Sequence, residues 1–224
     1  MAEKLRHIDL SHIVEDGMIT YKGLPAPIIC DWMSREQSRS RYAEGTEFHI
    51  GKIEMIANTG TYIDSPFHRY ADGIDVSELP LDQLARVECV VIRIAHDVKS
   101  IGDDAFRGVD LRGKAVLVNT GWDRHWRTDR YFENHPHLTE SAARYLVDAG
   151  AVLVGIDSFN IDSIAEGTRP VHSILLRQAI PIIEHMCNLA EVPETGAVLT
   201  AAPVAVKGMG TFPVRAFATV AGNT

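Results

Sequence analysis

Three short, nearly uninterrupted apolar runs limit what this chain can fold into. Residues 88–95 read ECVVIRIA, 115–119 read AVLVN and 151–157 read AVLVGID. They are rich in Val and Ile and far below the ~18 apolar residues of a membrane span, so they read as buried strands. Residues 138–149 carry the pattern of a helix, with Thr139 as N-cap, Glu140 in the first turn and Gly150 just past the end. Residues 6–10 and 180–184 read as further strands, the latter preceded by a helical turn over 173–178. Residues 48–57 alternate, with Phe48, Ile50, Lys52, Glu54 and Ile56 on one side, but both faces are mixed. Residues 197–206 and 212–220 are β-rich and punctuated by Gly208 and Gly210. Strands outnumber helices and occur both in runs and in alternation. The fold class is therefore α/β, a mixed sheet with a few helices packed on it. Residues 11–46, with Pro25 and Pro27, read as an irregular segment too long for a plain connection.

A chain of 224 residues without repeats or low-complexity linkers fits one domain over 1–224. Its 46% hydrophobic and 23% charged residues are ordinary for a folded protein. The net charge of −8 argues against nucleic acid as a partner and against a polybasic membrane anchor. Cys30, Cys89 and Cys187 are odd in number and form no CxxC pair, which fits buried thiols in a reducing compartment. The opening MAEKLRHIDL lacks the apolar core of a signal peptide, so the expected location is cytoplasmic.

Chemistry concentrates in two places. Residues 57–68 read ANTGTYIDSPFH. On an extended chain, side chains two apart share a face, which would align Asn58, Tyr62, Asp64 and His68. Gly60 permits close backbone approach and Pro66 stiffens the exit. Residues 171–185 read VHSILLRQAIPIIEH, with His172 before a helical turn and Glu184 ending a buried strand. His172 and Glu184 beside Asp64 and His68 would form a mixed nitrogen and oxygen ligand set for a divalent cation. Blander readings stand beside these. Asp64 before Ser65-Pro66 can open a turn, Tyr62 can be a half-buried sheet aromatic, and Asn58 can be turn chemistry. The segment 122–126 (WDRHW) can line a pocket or an oligomer contact, and His135-Pro136-His137 reads as a solvent-exposed turn. Asp157 reads either as a group supporting the site or as a cap.

Together these motifs resemble the cyclase family of metal-dependent hydrolases, which includes bacterial kynurenine formamidase and isatin hydrolase. The family pattern H-x-G-T-H-x-D-x-P-x-H stands here as Asn58-Thr59-Gly60-Thr61-Tyr62-Ile63-Asp64-Ser65-Pro66-Phe67-His68, and its distant H-x(11)-E stands as His172 to Glu184. Thr120-Gly121-Trp122, Val154-Gly155-Ile156-Asp157 and Pro213-Val214-Arg215-Ala216 resemble further family segments. The resemblance implies a cyclase-like swivelling β/β/α fold and hydrolysis of a C–N bond in a small amide, formamide or cyclic amide. It also implies a homodimer or homotetramer whose neighbouring subunits help close the site, and the irregular 11–46 segment, with Tyr21, Trp32 and Tyr42, is a candidate to supply such a lid.

The departures matter as much. The family's first two motif His and its Asp bind the catalytic metal, and Asn58 and Tyr62 stand at those two His positions. Asp64, His172 and Glu184 remain, as does His68, which matches the family's proposed general base. Three readings follow. A metal (Mn, Zn or Fe) binds through Asp64, His68, His172 and Glu184, the oxygen-rich set leaning toward Mn or Fe. Alternatively, no metal binds: Tyr62 and Asn58 face a developing oxyanion and His68 acts as base, oriented by Asp64 or Glu184, an arrangement that also suits a lyase, isomerase or cyclase. In the third, the protein binds a small molecule without catalysis.

Overall fold

The computed structural model describes residues 4–165 and 167–222. In chain order the strands are β1 (Leu5–Asp9), β2 (Ile28–Met33), β3 (Ile50–Glu54), β4 (Tyr62–Asp64), β5 (Val87–Arg93), β6 (Ser100–Ile101), β7 (Ala115–Asn119), β8 (His137–Leu138), β9 (Leu153–Ile156), β10 (Ile182–Glu184), β11 (Ala197–Thr200), β12 (Thr211–Pro213) and β13 (Phe217–Ala221). The helices are α1 (Arg35–Arg39), α2 (Glu140–Asp148) and α3 (Pro170–Arg177). Nine strands form one mixed sheet in the order β1-β13-β11-β5-β7-β9-β10-β4-β12. Its centre, β5-β7-β9-β10, is parallel, and the flanking strands are antiparallel.

This sheet has to curl. β12 and β13 lie seven strand positions apart, which would be ~34 Å across a flat sheet. Only Val214, Arg215 and Ala216 join them, a link that spans at most ~14 Å. The joint is pinned on both sides, by Leu10 N donating to Ala216 O (2.9 Å) and Val214 N donating to Thr61 O (3.0 Å). The curl also explains the uninterrupted apolar runs, because both faces of the central strands are buried. Cys89, Val91, Ala115, Leu117, Leu153 and Ile183 pack into the inner core. Their neighbours Val90, Ile92, Val116, Val118, Val154, Ile156 and Ile182 pack outward against α2 and α3, through Leu146, Leu175 and Leu176.

Local chemistry sets α2 much as its sequence predicts. The Thr139 side chain accepts from Ala142 N (3.2 Å), Arg144 pairs with Glu140 one turn away, and Gly150 exits at φ +80°. Five expectations need correction. The 48–57 strand shrinks to β3, which among the described residues pairs with β2 alone, in a two-stranded arm with both faces largely exposed. That exposure accounts for its mixed faces. The irregular 11–46 segment contains β2 and also α1, whose capping box uses Ser34 and Gln37. His172 lies inside α3 rather than before it, because Pro170 starts the helix earlier. His135, expected in solvent, is buried at the edge of Phe159, although Cys30 among the thiols is exposed.

Candidate active site

Strand register brings the site together. Ile63 of β4 points into the inner core, so Tyr62 and Asp64 take the opposite face. On β10, Glu184 pairs with Tyr62 and Ile182 with Asp64, and on β12 Thr211 pairs with Asp64. Tyr62, Asp64, Glu184 and Thr211 therefore share one face from three strands. α3 covers that face and lowers His172 onto it.

The 58–68 segment is not one extended ribbon. Gly60 sits at φ +66° and only Tyr62–Asp64 is strand, followed by a 3₁₀ turn over Pro66–His68. A Cβ at Gly60 would lie 2.9 Å from Val14 Cγ2. The turn at Gly60 breaks the alternation that would have aligned Asn58. That residue is half-buried and, among the described residues, makes no hydrogen bond to the cluster. His68 arrives by the turn instead. Ser65 N and Oγ both donate to Gly210 O (2.7 and 3.0 Å), seating the turn against the start of β12.

Two linked groups result. In the first, Thr211 Oγ1 donates to Asp64 Oδ1 (2.6 Å) and contacts His68 Nδ1 (2.9 Å). His172 Nε2 approaches Asp64 Oδ2 (3.6 Å) and Glu184 Oε1 (3.7 Å). Asp162 holds His172 from behind: its Oδ2 accepts from His172 N (3.0 Å) and bonds His172 Nδ1 (2.6 Å), while Oδ1 accepts from Val171 N (2.8 Å). In the second group, Tyr62 Oη donates to Glu184 Oε2 (2.5 Å) and Ile161 N donates to Glu184 Oε1 (2.7 Å). Tyr21 Oη lies 2.9 Å from Tyr62 Oη and accepts from Asn160 Nδ2 (3.1 Å). Tyr21 comes from the segment proposed as a lid for a neighbour, yet it completes its own chain's site.

Charge is concentrated where water is scarce. Asp64, Glu184 and His172 are all buried. Burial opposes a charge on His172, but Asp162, Asp64 and Glu184 outweigh it and push its pKa up to about 10. Burial raises Asp64 as well, yet His172 and His68 bring it below the usual carboxylate range. Glu184 is raised by burial, which His172 offsets only in part. Tyr62 and Tyr21 are raised well above 10 by burial and by Glu184.

The donor set fits a divalent cation. Asp64 Oδ2 is buried without a hydrogen-bond partner. It faces His172 Nε2, whose ring is oriented through Nδ1 by Asp162, the arrangement typical of a metal-binding histidine. One ligand atom each from Asp64, His68 and His172 lies within 4.8 Å of the others. Glu184 is adjacent, with both oxygens engaged.

Sequence reasoning missed Asp162, Thr211 and Asn160. Asp162 sits ten residues before His172 and Thr211 is 147 residues from Asp64, so neither has a local signature. Asp157 proves to be a cap: its buried carboxylate accepts from Thr120 N, Thr120 Oγ1, Gly121 N and Asn119 Nδ2 at the end of β7. The WDRHW loop packs inward through Trp122, whose Nε1 donates to Tyr131 O (3.0 Å).

The comparisons with known proteins agree with this architecture. The family model described as "Putative cyclase" matches residues 8–163. A kynurenine formamidase of Bacillus cereus is 30% identical over 211 residues, covering 93% of this chain and 95% of the relative. A kynurenine formamidase of Geobacillus thermodenitrificans is 32% identical over 213 residues, covering 93% and 95%. Among solved structures, a "potential metal-dependent hydrolase with cyclase activity" superposes with a TM-score of 0.79 at 26% identity, over 99% of this chain and 100% of the other. An isatin hydrolase bound to the product analogue thioisatinate shares the fold, with a TM-score of 0.81 at 21% identity over 97% and 93%. The family model covers well over half of the sequence and the curated relatives match nearly end to end, so this chain belongs to the cyclase family.

Proposed function

We propose that the protein is a hydrolase that opens a C–N bond in a small amide, formamide or cyclic amide, in line with its formamidase relatives. The observation that carries this reading is a partly exposed imidazole, His68, coupled to the buried carboxylate of Asp64 on a face that also holds His172 and Glu184. His68 takes a proton from water as it attacks the carbonyl carbon, and Asp64 stabilises the imidazolium that results. The same ring then returns the proton to the departing nitrogen. Asp162 keeps His172 aimed at Asp64 and Glu184. Tyr62 has its proton committed to Glu184 and is 1% exposed, so it supports that carboxylate rather than a substrate.

A divalent cation (Mn, Fe or Zn) would be held by Asp64 and His172, with His68 and Glu184 in reach. When bound, it polarises a carbonyl and lowers the pKa of water. A second reading needs no cation: an imidazolium on His172, favoured by its raised pKa, neutralises Asp64 and Glu184 in its place. The test is metal content of protein purified without added metal, together with turnover of formylated kynurenine and isatin. About one metal per chain that is lost in Asp64→Ala supports the first reading, and metal-free turnover supports the second. His68→Ala is expected to lower kcat by ~10²-fold or more in either case. Unchanged hydrolysis in both His68→Ala and Asp64→Ala would refute the proposal.

A sheet running from Leu5 to Ala221 supports treating the chain as one domain. The unpaired thiols support a cytoplasmic location, and among the described residues no helix is long and apolar enough to cross a membrane. The β2–β3 arm exposes Ile28, Trp32, Ile50 and Ile53, with Trp32 73% exposed. A two-stranded hairpin is marginal alone, so this apolar arm supports a homodimer or homotetramer in which a second copy covers it. Light scattering on wild type and Trp32→Glu tests that assembly, and a monomeric wild type would exclude it.

A further inference from the structure

The bond between Thr211 and Asp64 decides which nitrogen of His68 is free. Thr211 Oγ1 lies 2.6 Å from Asp64 Oδ1 and 2.9 Å from His68 Nδ1, while His68 Nδ1 and Asp64 Oδ1 are 3.8 Å apart. That last distance is too long for a direct hydrogen bond, so the hydroxyl is the link between the two. A hydroxyl has one proton to give, and a carboxylate oxygen only accepts. Thr211 donates to Asp64, which leaves only a lone pair to present to His68. The contact at Nδ1 is then an N–H of His68 donating to Thr211. A neutral His68 with its proton on Nδ1 has its lone pair on Nε2.

The surroundings hold this chain of bonds in place. Thr211 is buried and in register with Asp64 across β12 and β4. Gly210, one residue earlier, packs so closely on His68 that an added Cβ would stand 2.6 Å from both its N and its Cα. The His68 backbone is thus fixed against the strand that supplies the hydroxyl.

We infer that Thr211 is a positioning residue that fixes the tautomer of His68, leaving Nε2 as the proton acceptor in hydrolysis. The inference rests on the reading of His68 as the base and adds the atom that acts. It also leaves Nε2 as the one lone pair that a neutral His68 can offer to water or to a cation.

The test is two-bond ¹H–¹⁵N NMR of the full chain labelled with ¹⁵N-histidine, with His68 assigned by its loss in His68→Gln. Wild type is expected to show the Nδ1–H tautomer, and Thr211→Ser is expected to keep it. Thr211→Val, similar in shape but without the hydroxyl, is expected to shift His68 toward the Nε2–H form. The kinetic signature is a kcat reduced roughly 10- to 100-fold in Thr211→Val with KM within about threefold, and a rate close to wild type in Thr211→Ser. An Nε2–H tautomer in wild type would overturn the inference, and that measurement needs no variant of Thr211. An unchanged tautomer in folded Thr211→Val would overturn it too. If the tautomer is as stated but His68→Gln hydrolyses normally, the assignment of His68 as base fails while the hydrogen-bond assignment stands.

Discussion

Asp162 is the residue whose loss should be felt most widely, and Asp162→Asn is the sharpest way to show it. The carboxylate is fully buried and receives three donors from the start of α3: Val171 N, His172 N and His172 Nδ1. Pro170 contributes no N–H, so Asp162 works as a non-local cap on a helix whose own N-cap, Arg169, makes no side-chain capping bond. Asparagine keeps one acceptor oxygen. If that oxygen stays on Val171, the amide NH₂ points at two N–H donors of His172. The expected loss is one charge-assisted hydrogen bond, about 1.5–3 kcal/mol, and much of a cap, about 0.5–2 kcal/mol. The sum, about 2–5 kcal/mol, corresponds to a Tm lower by about 4–20 °C for a chain of this size. Because the same carboxylate orients His172, catalysis should fall as well, by roughly 10- to 100-fold. Thermal unfolding by circular dichroism, read beside kcat/KM at a temperature where the variant is folded, separates the two effects. A variant with Tm within 2 °C of wild type and a rate within twofold would refute this account of Asp162.

Gly210→Ala should injure the site without removing a polar group. Its Cβ would stand 2.6 Å from the His68 backbone, so the turn must retreat by about 1 Å, and a shift of that size costs ~10²-fold in rate. Normal kinetics in this variant would show that the turn yields freely. His135 gives a pH prediction. Burial pushes its pKa down to about 4, below the ~6.5 of an unfolded chain, so the unfolded state binds more protons between those values. Its contribution is complete above pH 6.5 and is lost as pH falls toward 4, about 2 kcal/mol of it between pH 7 and pH 5. Urea unfolding of wild type and His135→Phe at the two pH values should show a smaller decline in the variant, and equal declines would contradict the assignment.

Both halves of the site were legible in the chain, though not for the same reason. Asp64 and Tyr62 do share a face, because β4 is short but truly extended over those residues. His68 joins them through a 3₁₀ turn that Pro66 begins, a different route from the one alternation predicts. Asn58 is separated by the positive φ of Gly60, a conformation that glycine permits but does not announce. Tyr21 illustrates a harder case. It lies in a segment with no periodic pattern, and its hydroxyl is placed by Tyr62, Phe159 and Asn160 from distant parts of the chain.

What the sequence determined by itself was anything encoded in neighbours a few residues apart. Uninterrupted apolar runs specified strands buried on both faces, and Thr139 and Gly150 bounded α2 through local caps. The spaced motif marked where chemistry would sit. Only the tertiary structure decided which polar groups meet. The curl follows from the three residues that join β12 and β13, and the pairing of Thr211 with Asp64 follows from strand register. The capping of α3 by Asp162 follows from how that helix docks on the sheet. These contacts depend on the path of the whole backbone, and single residues such as Thr and Asp carry no mark of a partner far away in the chain.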